Sequence, residues 1–232
     1  MPLSIVILAA GQGKRMQSLL PKVLQPLAGE PLLGHVISAA RLLKPEAIHI
    51  VYGHGGDQVK AKFANDSLHW ALQAEQLGTG HALAQAMTEI SDDHSVLVLF
   101  GDVPLIQVST LQSLLDASGN SLALLSVKLN DPTGYGRVIR NNAGQVVRIV
   151  EHKDANTKER LVDECNTGVL VANAKQLKQW LSQLKNNNAQ GEYYLTDVIS
   201  MAVRDGLKVN GVLAPTEAEV LGVNDKVQLA EV

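Results

Sequence analysis

Leu3-Ser4-Ile5-Val6-Ile7-Leu8-Ala9-Ala10-Gly11-Gln12-Gly13-Lys14-Arg15-Met16 opens the chain, and Leu20-Pro21-Lys22 follows closely. The apolar run gives way abruptly to glycines and cations, the pattern of a buried strand that ends in an anion-binding loop. Glycines let the backbone approach a phosphate closely, and Lys14, Arg15 and Lys22 bring positive charge beside exposed N–H groups. The loop therefore points to a nucleotide. It is not a P-loop, because Gly13-Lys14 is followed by Arg15 where that motif requires a hydroxyl residue for magnesium. A dinucleotide fingerprint requires a third small residue where this chain has Met16, which weakens a hydride-transfer reading.

Working outward, apolar β-branched runs recur at Ser4–Ala10, Ala47–Tyr52, Ser95–Phe100, Leu122–Val127 and Gly168–Ala172. Helical spacing fills Leu32–Leu43, His81–Ile90 and Thr110–Ala117 between them. Near-continuous apolar strands that alternate with helices predict an α/β fold: a Rossmann-like, mostly parallel mixed sheet with helices on both faces and ligands at the strands' carboxyl ends. After Val127 the pattern changes. Arg137–Ile139 and Val146–Val150 flank Asn141-Asn142-Ala143-Gly144, which predicts a hairpin and a small antiparallel lobe able to hold a second substrate. Asp225 to Val232 reads as the start of a helix, with Asn224 as its cap and apolar residues at Val227, Leu229, Ala230 and Val232. Broken off in mid-pattern, that helix leads to the expectation of further protein beyond it.

The 232 residues are 46% hydrophobic, enough for a sizeable core. A net charge of −3 and 3% aromatic residues leave neither a basic footprint nor stacking platforms, so no nucleic-acid partner is expected. The first apolar run is too short to span a bilayer and ends in glycine and charge, so a cytoplasmic protein without a membrane partner is expected. The single cysteine, Cys165, lies in an apolar segment and reads as a buried structural thiol, and no cysteine pair supports zinc.

Chemistry-bearing residues cluster at the strand ends. Phe100-Gly101-Asp102-Val103-Pro104 puts Asp102 just past a strand's carboxyl end, either as a magnesium ligand facing a triphosphate or as the cap of the following helix. Gln73-Ala74-Glu75-Gln76-Leu77-Gly78-Thr79-Gly80-His81 joins carboxamides, which match both donors and acceptors of a pyrimidine, to a helix start capped by Thr79 or Gly80. His81 is given no role. Gly134-Tyr135-Gly136-Arg137, Val150-Glu151-His152-Lys153 and Cys165-Asn166-Thr167-Gly168 offer the mixed donors and acceptors that sugar hydroxyls need, though each alone also reads as an ordinary turn. The Thr196-Asp197 helix start after Tyr193-Tyr194 is structural unless its loop folds over the cleft.

Together these motifs, with Gly191 to Asp197 and Gly222-Val223-Asn224, span nearly the whole chain in order. They resemble the uridylyltransferase (pyrophosphorylase) domain of bacterial bifunctional N-acetylglucosamine-1-phosphate uridylyltransferase/glucosamine-1-phosphate acetyltransferases. The resemblance implies a fold of the nucleotide-diphospho-sugar transferase type. The reaction it implies joins UTP and N-acetylglucosamine 1-phosphate into UDP-N-acetylglucosamine and pyrophosphate, with Mg2+ as cofactor, feeding peptidoglycan and lipopolysaccharide synthesis. A sugar phosphate is already an anionic nucleophile, so alignment and cations suffice without a protein base.

By the same resemblance Arg15, Lys22 and Asp102 are catalytic, and Asp102 with Asn224 holds the metal. Gln73, Gly78 and the backbone of Leu8, Ala9, Ala10 and Gly11 read uracil, while Gly136, Glu151, Asn166, Tyr194 and Thr196 hold the sugar. Gln76, Thr79, Phe100, Gly101 and Asn224 complete the substrate-binding set. Residues 1–224 form the nucleotidyltransferase domain, nucleotide-binding in its first half and sugar-binding in its second. Residues 225–232 start a helix toward an acetyltransferase β-helix whose hexapeptide repeats this sequence lacks, so acetyl transfer is not expected of this chain. The resemblance is compatible with a trimer for a full-length protein and a monomer for this domain alone. The chain departs from the family in having Phe100 where a tyrosine is common, and in Gln12 and Lys14; little effect is expected in a loop that works through backbone N–H groups. Guanylyl- or thymidylyltransferases share the glycine loop and Asp102, and a UDP-sugar sensor without turnover is the non-enzymatic alternative.

Overall fold

A computed structural model of the chain describes residues 1–232 except His54 and Asn120. In chain order the elements are β1 (Leu3–Ala9), β2 (Pro26–Leu27), β3 (Glu30–Pro31), α1 (Leu32–Leu42), β4 (Ala47–Tyr52), α2 (Gly56–Lys62), β5 (His69–Leu72), α3 (Thr79–Met87) and β6 (Ser95–Phe100). They continue with α4 (Val108–Ser118), β7 (Leu122–Lys128), β8 (Arg137–Arg140), β9 (Val146–Val150), β10 (Glu164–Asn173), α5 (Ala174–Leu181), α6 (Asp197–Arg204), β11 (Val209–Leu213) and α7 (Lys226–Glu231).

The main sheet runs β11-β7-β10-β6-β1-β4-β5. The pairs β6-β1, β1-β4, β4-β5 and β7-β11 are parallel, and β10 is antiparallel to both its neighbours. Strand β1 shows why its sequence is apolar at nearly every position. Ile5, Ile7 and Ala9 face a core shared with α1, α2 and α4, while Val6 and Leu8 face a second core shared with α3, α5 and α6. Both faces are covered, as the continuous apolar pattern requires. The expected hairpin forms as β8 and β9, and β8 joins the sheet through the Arg137–Cys165 pairing with β10. Cys165 is fully buried, and burial pushes its thiol up to about 11, so it is an inert core residue.

Three local expectations are corrected. Strand β10 begins four residues before the Gly168–Ala172 run, because a register break between Asn166 and Leu170 hides its first half from the hydrophobic pattern. Helix α3 is capped by the backbone of Gly78 at φ +108°, not by Thr79 or Gly80, and the Thr79 hydroxyl accepts instead from the Leu195 N–H. Helix α7 is capped by Asp225, whose carboxylate accepts from the N–H groups of Val227 and Gln228, so Asn224 is free of that duty. The short α2 and the edge strand β5 carried no clear apolar period, and α5 and β11 also lay outside the expected runs. Among the described residues no helix is long and apolar enough to cross a membrane.

Candidate active site

The carboxyl ends of β1 and β6 lie side by side, and the opening loop leaves β1 there. Gly13 turns the loop at φ +60°, and a Cβ on it would stand 2.6 Å from Cβ of Lys22. Only glycine allows that approach, and it brings Lys22 back under the loop. Met16 is buried and anchors the short turn Lys14–Met16, leaving the Arg15 side chain exposed.

At the junction the Lys22 ammonium donates to the Asp102 carboxylate, and to Oδ1 of Asn224 at 2.9 Å. Lys22 and Asp102 are largely buried at this contact, with 11% and 16% of their side chains exposed. Asp102 does not cap the next helix: α4 starts at Val108, with Gln107 at its cap. The carbonyl of Asp102 accepts from the Val223 N–H at 2.8 Å, which docks the Gly222-Val223-Asn224 segment beside it. One carboxylate and one amide oxygen thus converge on a single cationic centre. That donor set fits a hard divalent ion whose other positions go to phosphate and water oxygens.

Three cavities adjoin one another here, with Phe100 in the wall of each. The first is walled by Leu8 to Gly11, Lys22, Gln73, Gln76, Gly78, Thr79, Phe100 and Asp102. Within it the buried Gln73 amide nitrogen donates to the Gly78 carbonyl and lies 3.1 Å from Nδ1 of His81, which leaves the carboxamide oxygen as its acceptor end. His81 therefore has a positioning role that its sequence context did not reveal. Gln12 donates to Gln76 at 3.2 Å and latches the glycine loop to this wall. Its side chain thus has a specific partner, beside the backbone N–H groups to which the sequence reading confined the loop's role.

The second cavity is lined by Gly136, Glu151, Asn166 and Thr196, with Phe100, Thr79, Tyr135 and Gly168. Gly168, at φ +88°, lies against the Phe100 ring, where a Cβ would come to 2.4 Å. Thr196 stands at the start of α6, yet its hydroxyl donates to Glu151 at 2.9 Å instead of capping the helix. Burial, reinforced by Asp154, Asp197 and Glu192, raises the Glu151 carboxyl above its ordinary range against the opposing pull of the Thr196 hydrogen bond. The third cavity, lined by Arg15, Phe100, Asp102, Tyr135, Gly222 and Asn224, opens at the junction.

Lys22, Asp102 and Asn224 touch, and Arg15 shares a cavity with the last two. Two expected residues stand behind the walls. The Gly101 N–H donates to the Leu8 carbonyl and its Cα packs toward Ala9 and Leu33, while the Tyr194 hydroxyl donates to Asp154 at 3.1 Å. Gln228 and Glu192 also reach the cavities; Gln228, a polar residue in a terminal helix, gave no sequence signal, whereas Glu192 belongs to the Gly191 to Asp197 motif.

Comparison with known proteins agrees with this geometry. Residues 5–139 match the profile of the MobA-like NTP transferase domain. The chain is 58% identical over 232 residues to Bifunctional protein GlmU of Pseudomonas aeruginosa (strain LESB58), covering 100% of this chain and 51% of that protein. It is 57% identical over 228 residues to Bifunctional protein GlmU of Alkalilimnicola ehrlichii, covering 98% and 49%. It thus spans about half the length of the curated relatives it matches. Its fold matches, at a TM-score of 0.75 and 20% identity, a Bacillus anthracis protein described as a glucose-1-phosphate thymidylyltransferase in complex with sucrose, over 99% of this chain and 93% of that one.

Proposed function

The chain belongs to the MobA-like NTP transferase domain family, and from that premise we propose that it transfers uridylyl from UTP to N-acetylglucosamine 1-phosphate, releasing pyrophosphate. The observation that carries the reading is the junction of Lys22, Asp102 and Asn224, whose Lys22 and Asp102 wall a carboxamide-lined cavity that shares Thr79 and Phe100 with a second cavity lined by Glu151 and Asn166. In this reading uracil enters the first cavity, where the fixed Gln73 oxygen accepts from the ring N–H and the backbone of Leu8 to Gly11 meets the carbonyls. The sugar enters the second, where Glu151, Asn166 and Thr196 take its hydroxyls and acetamide.

Alignment then does the chemistry. The two cavities direct the sugar phosphate oxygen at the α-phosphorus from the side opposite the leaving pyrophosphate. Lys22 neutralises charge at the reacting phosphate, and Arg15, on an exposed turn facing the third cavity, holds the departing pyrophosphate. Asp102 and Asn224 would hold Mg2+, which when bound supplies charge neutralisation across the phosphates. No side chain is asked to remove a proton, because the attacking oxygen is already anionic.

The test is pyrophosphate release with Mg2+, N-acetylglucosamine 1-phosphate and each nucleoside triphosphate in turn. UTP should be strongly preferred. An equal or higher rate with GTP or dTTP overturns the uridylyl assignment, and no release with any triphosphate supports the sensor alternative.

A further inference from the structure

We propose that His49, His69 and Glu89 form a second metal site that takes a borderline divalent transition cation such as Zn2+, beside the end of α3 remote from the cleft. His49, third in β4, pairs in register with His69, first in β5, so both imidazoles stand on the same sheet face. Glu89 lies just past the end of α3, the helix packed on that face. Oε2 of Glu89 is 3.8 Å from Nδ1 of both His49 and His69, and the three ligand atoms lie within 4.8 Å of one another.

Those separations are too long for hydrogen bonds. Ligands at about 2.0–2.2 Å from a tetrahedral zinc stand about 3.3–3.6 Å apart, so the two 3.8 Å separations to Glu89 come within a few tenths of an ångström of one bridging ion. A modest rotation of His69 and Glu89, each 56% exposed, closes the triangle. His49 supplies an independent observation. It is only 2% exposed, and its Nδ1 has no hydrogen-bond partner among the described residues. A buried polar nitrogen without a partner is destabilising, and a metal ion shared with the nearby carboxylate and second imidazole is a partner that fits it.

His94 is engaged elsewhere, with Nδ1 2.8 Å from the Ser4 hydroxyl and Nε2 3.8 Å from Glu46. Two imidazoles and one carboxylate with open outer positions form a zinc-type donor set and not a magnesium one. The ion would tie β4 and β5 to the far end of the helix whose first turn walls the nucleotide cavity.

Equilibrium dialysis against Zn2+ in excess Mg2+ tests the site on the 232-residue chain, comparing wild type with His69→Ala, Glu89→Gln and Asp102→Ala. His69 and Glu89 are exposed enough for those variants to fold, which circular dichroism checks. One tight equivalent in the wild type, kept in Asp102→Ala and weakened at least tenfold in His69→Ala and Glu89→Gln, is the expected result. No tight equivalent in the wild type, or binding by His69→Ala within twofold of it, overturns the proposal. Loss in Asp102→Ala alone also overturns it, by locating the ion in the cleft.

Discussion

The two halves of the cleft are built differently. The nucleotide half comes from loops that leave parallel strands, where Gly11 to Gly13 follow β1 and Asp102 follows β6, and its polar groups meet as opposite charges and fixed amides. The sugar half comes from the end of β9, the irregular start of β10 and the first turn of α6, where burial, reinforced by Asp154, raises the carboxyls of Glu151 and Asp197. A parallel sheet gathers backbone N–H groups and cations at one edge, which suits phosphates; the antiparallel strand inserted beside it supplies acceptors, which suit hydroxyls. Under the proposed function, the contrast assigns turnover to the first half and acceptor recognition to the second.

The largest effect should come where the halves meet. Asp102→Ala is expected to lower kcat by roughly 10²-fold or more, about 2.7 kcal/mol of transition-state stabilisation, with circular dichroism unchanged. Near-normal turnover would remove the junction from the chemistry. Lys22→Ala should cut kcat by about 10²-fold while the protein stays folded with a reduced Tm, because it leaves Asp102 partly buried without its cation.

Two glycines sharpen the division. Gly13→Ala forces a Cβ at φ +60° against Lys22, and Gly168→Ala forces one at φ +88° into the Phe100 ring. Each should destabilise by about 1–3 kcal/mol. The first is expected to act mainly on kcat and the second mainly on KM for the sugar phosphate, read from steady-state kinetics; equal effects on both parameters in both variants would erase the distinction.

The smallest effect is a pH dependence. Because burial raises the Glu151 carboxyl in the folded chain, the fold binds this proton more tightly than the unfolded chain does. Stability contributed at this site is present at low pH and declines as pH rises from the ordinary carboxylate value through the raised one. Glu151→Gln, which keeps an acceptor for Thr196, should therefore show a higher Tm than wild type at pH 7 and a smaller difference at pH 4, with a higher KM for the sugar phosphate. A Tm difference independent of pH would argue against the buried-carboxylate account.

Much of the first half was legible because its signals are local. The strand-glycine-cation sequence from Leu3 to Arg15 carries its reading within a few residues, whereas Asp102 after β6 and the Gln73 to Thr79 segment took theirs from the company of the other motifs. Asn224 was the opposite case. Its sequence context suggested a helix cap, yet Asp225 takes that duty and the Asn224 amide meets Lys22 across 202 positions of chain. Gln12 and His81 were similarly obscured, since their partners Gln76 and Gln73 are specified only once the loops stand face to face. The β10 register break suppressed the apolar period that would have revealed the wall holding Asn166.

Hydrophobic periodicity, glycine placement and the order of motifs were enough to determine an α/β sheet with its ligand edge and a nucleotide-handling loop, because these are properties of neighbouring residues and the backbone geometry they permit. Tertiary structure decided which distant side chains became partners: the Lys22, Asp102 and Asn224 junction, the turn of Thr196 toward Glu151, and the bare nitrogen of His49 beside Glu89. Such pairings depend on strand order and crossover, which set distances between residues that share no local pattern in the chain.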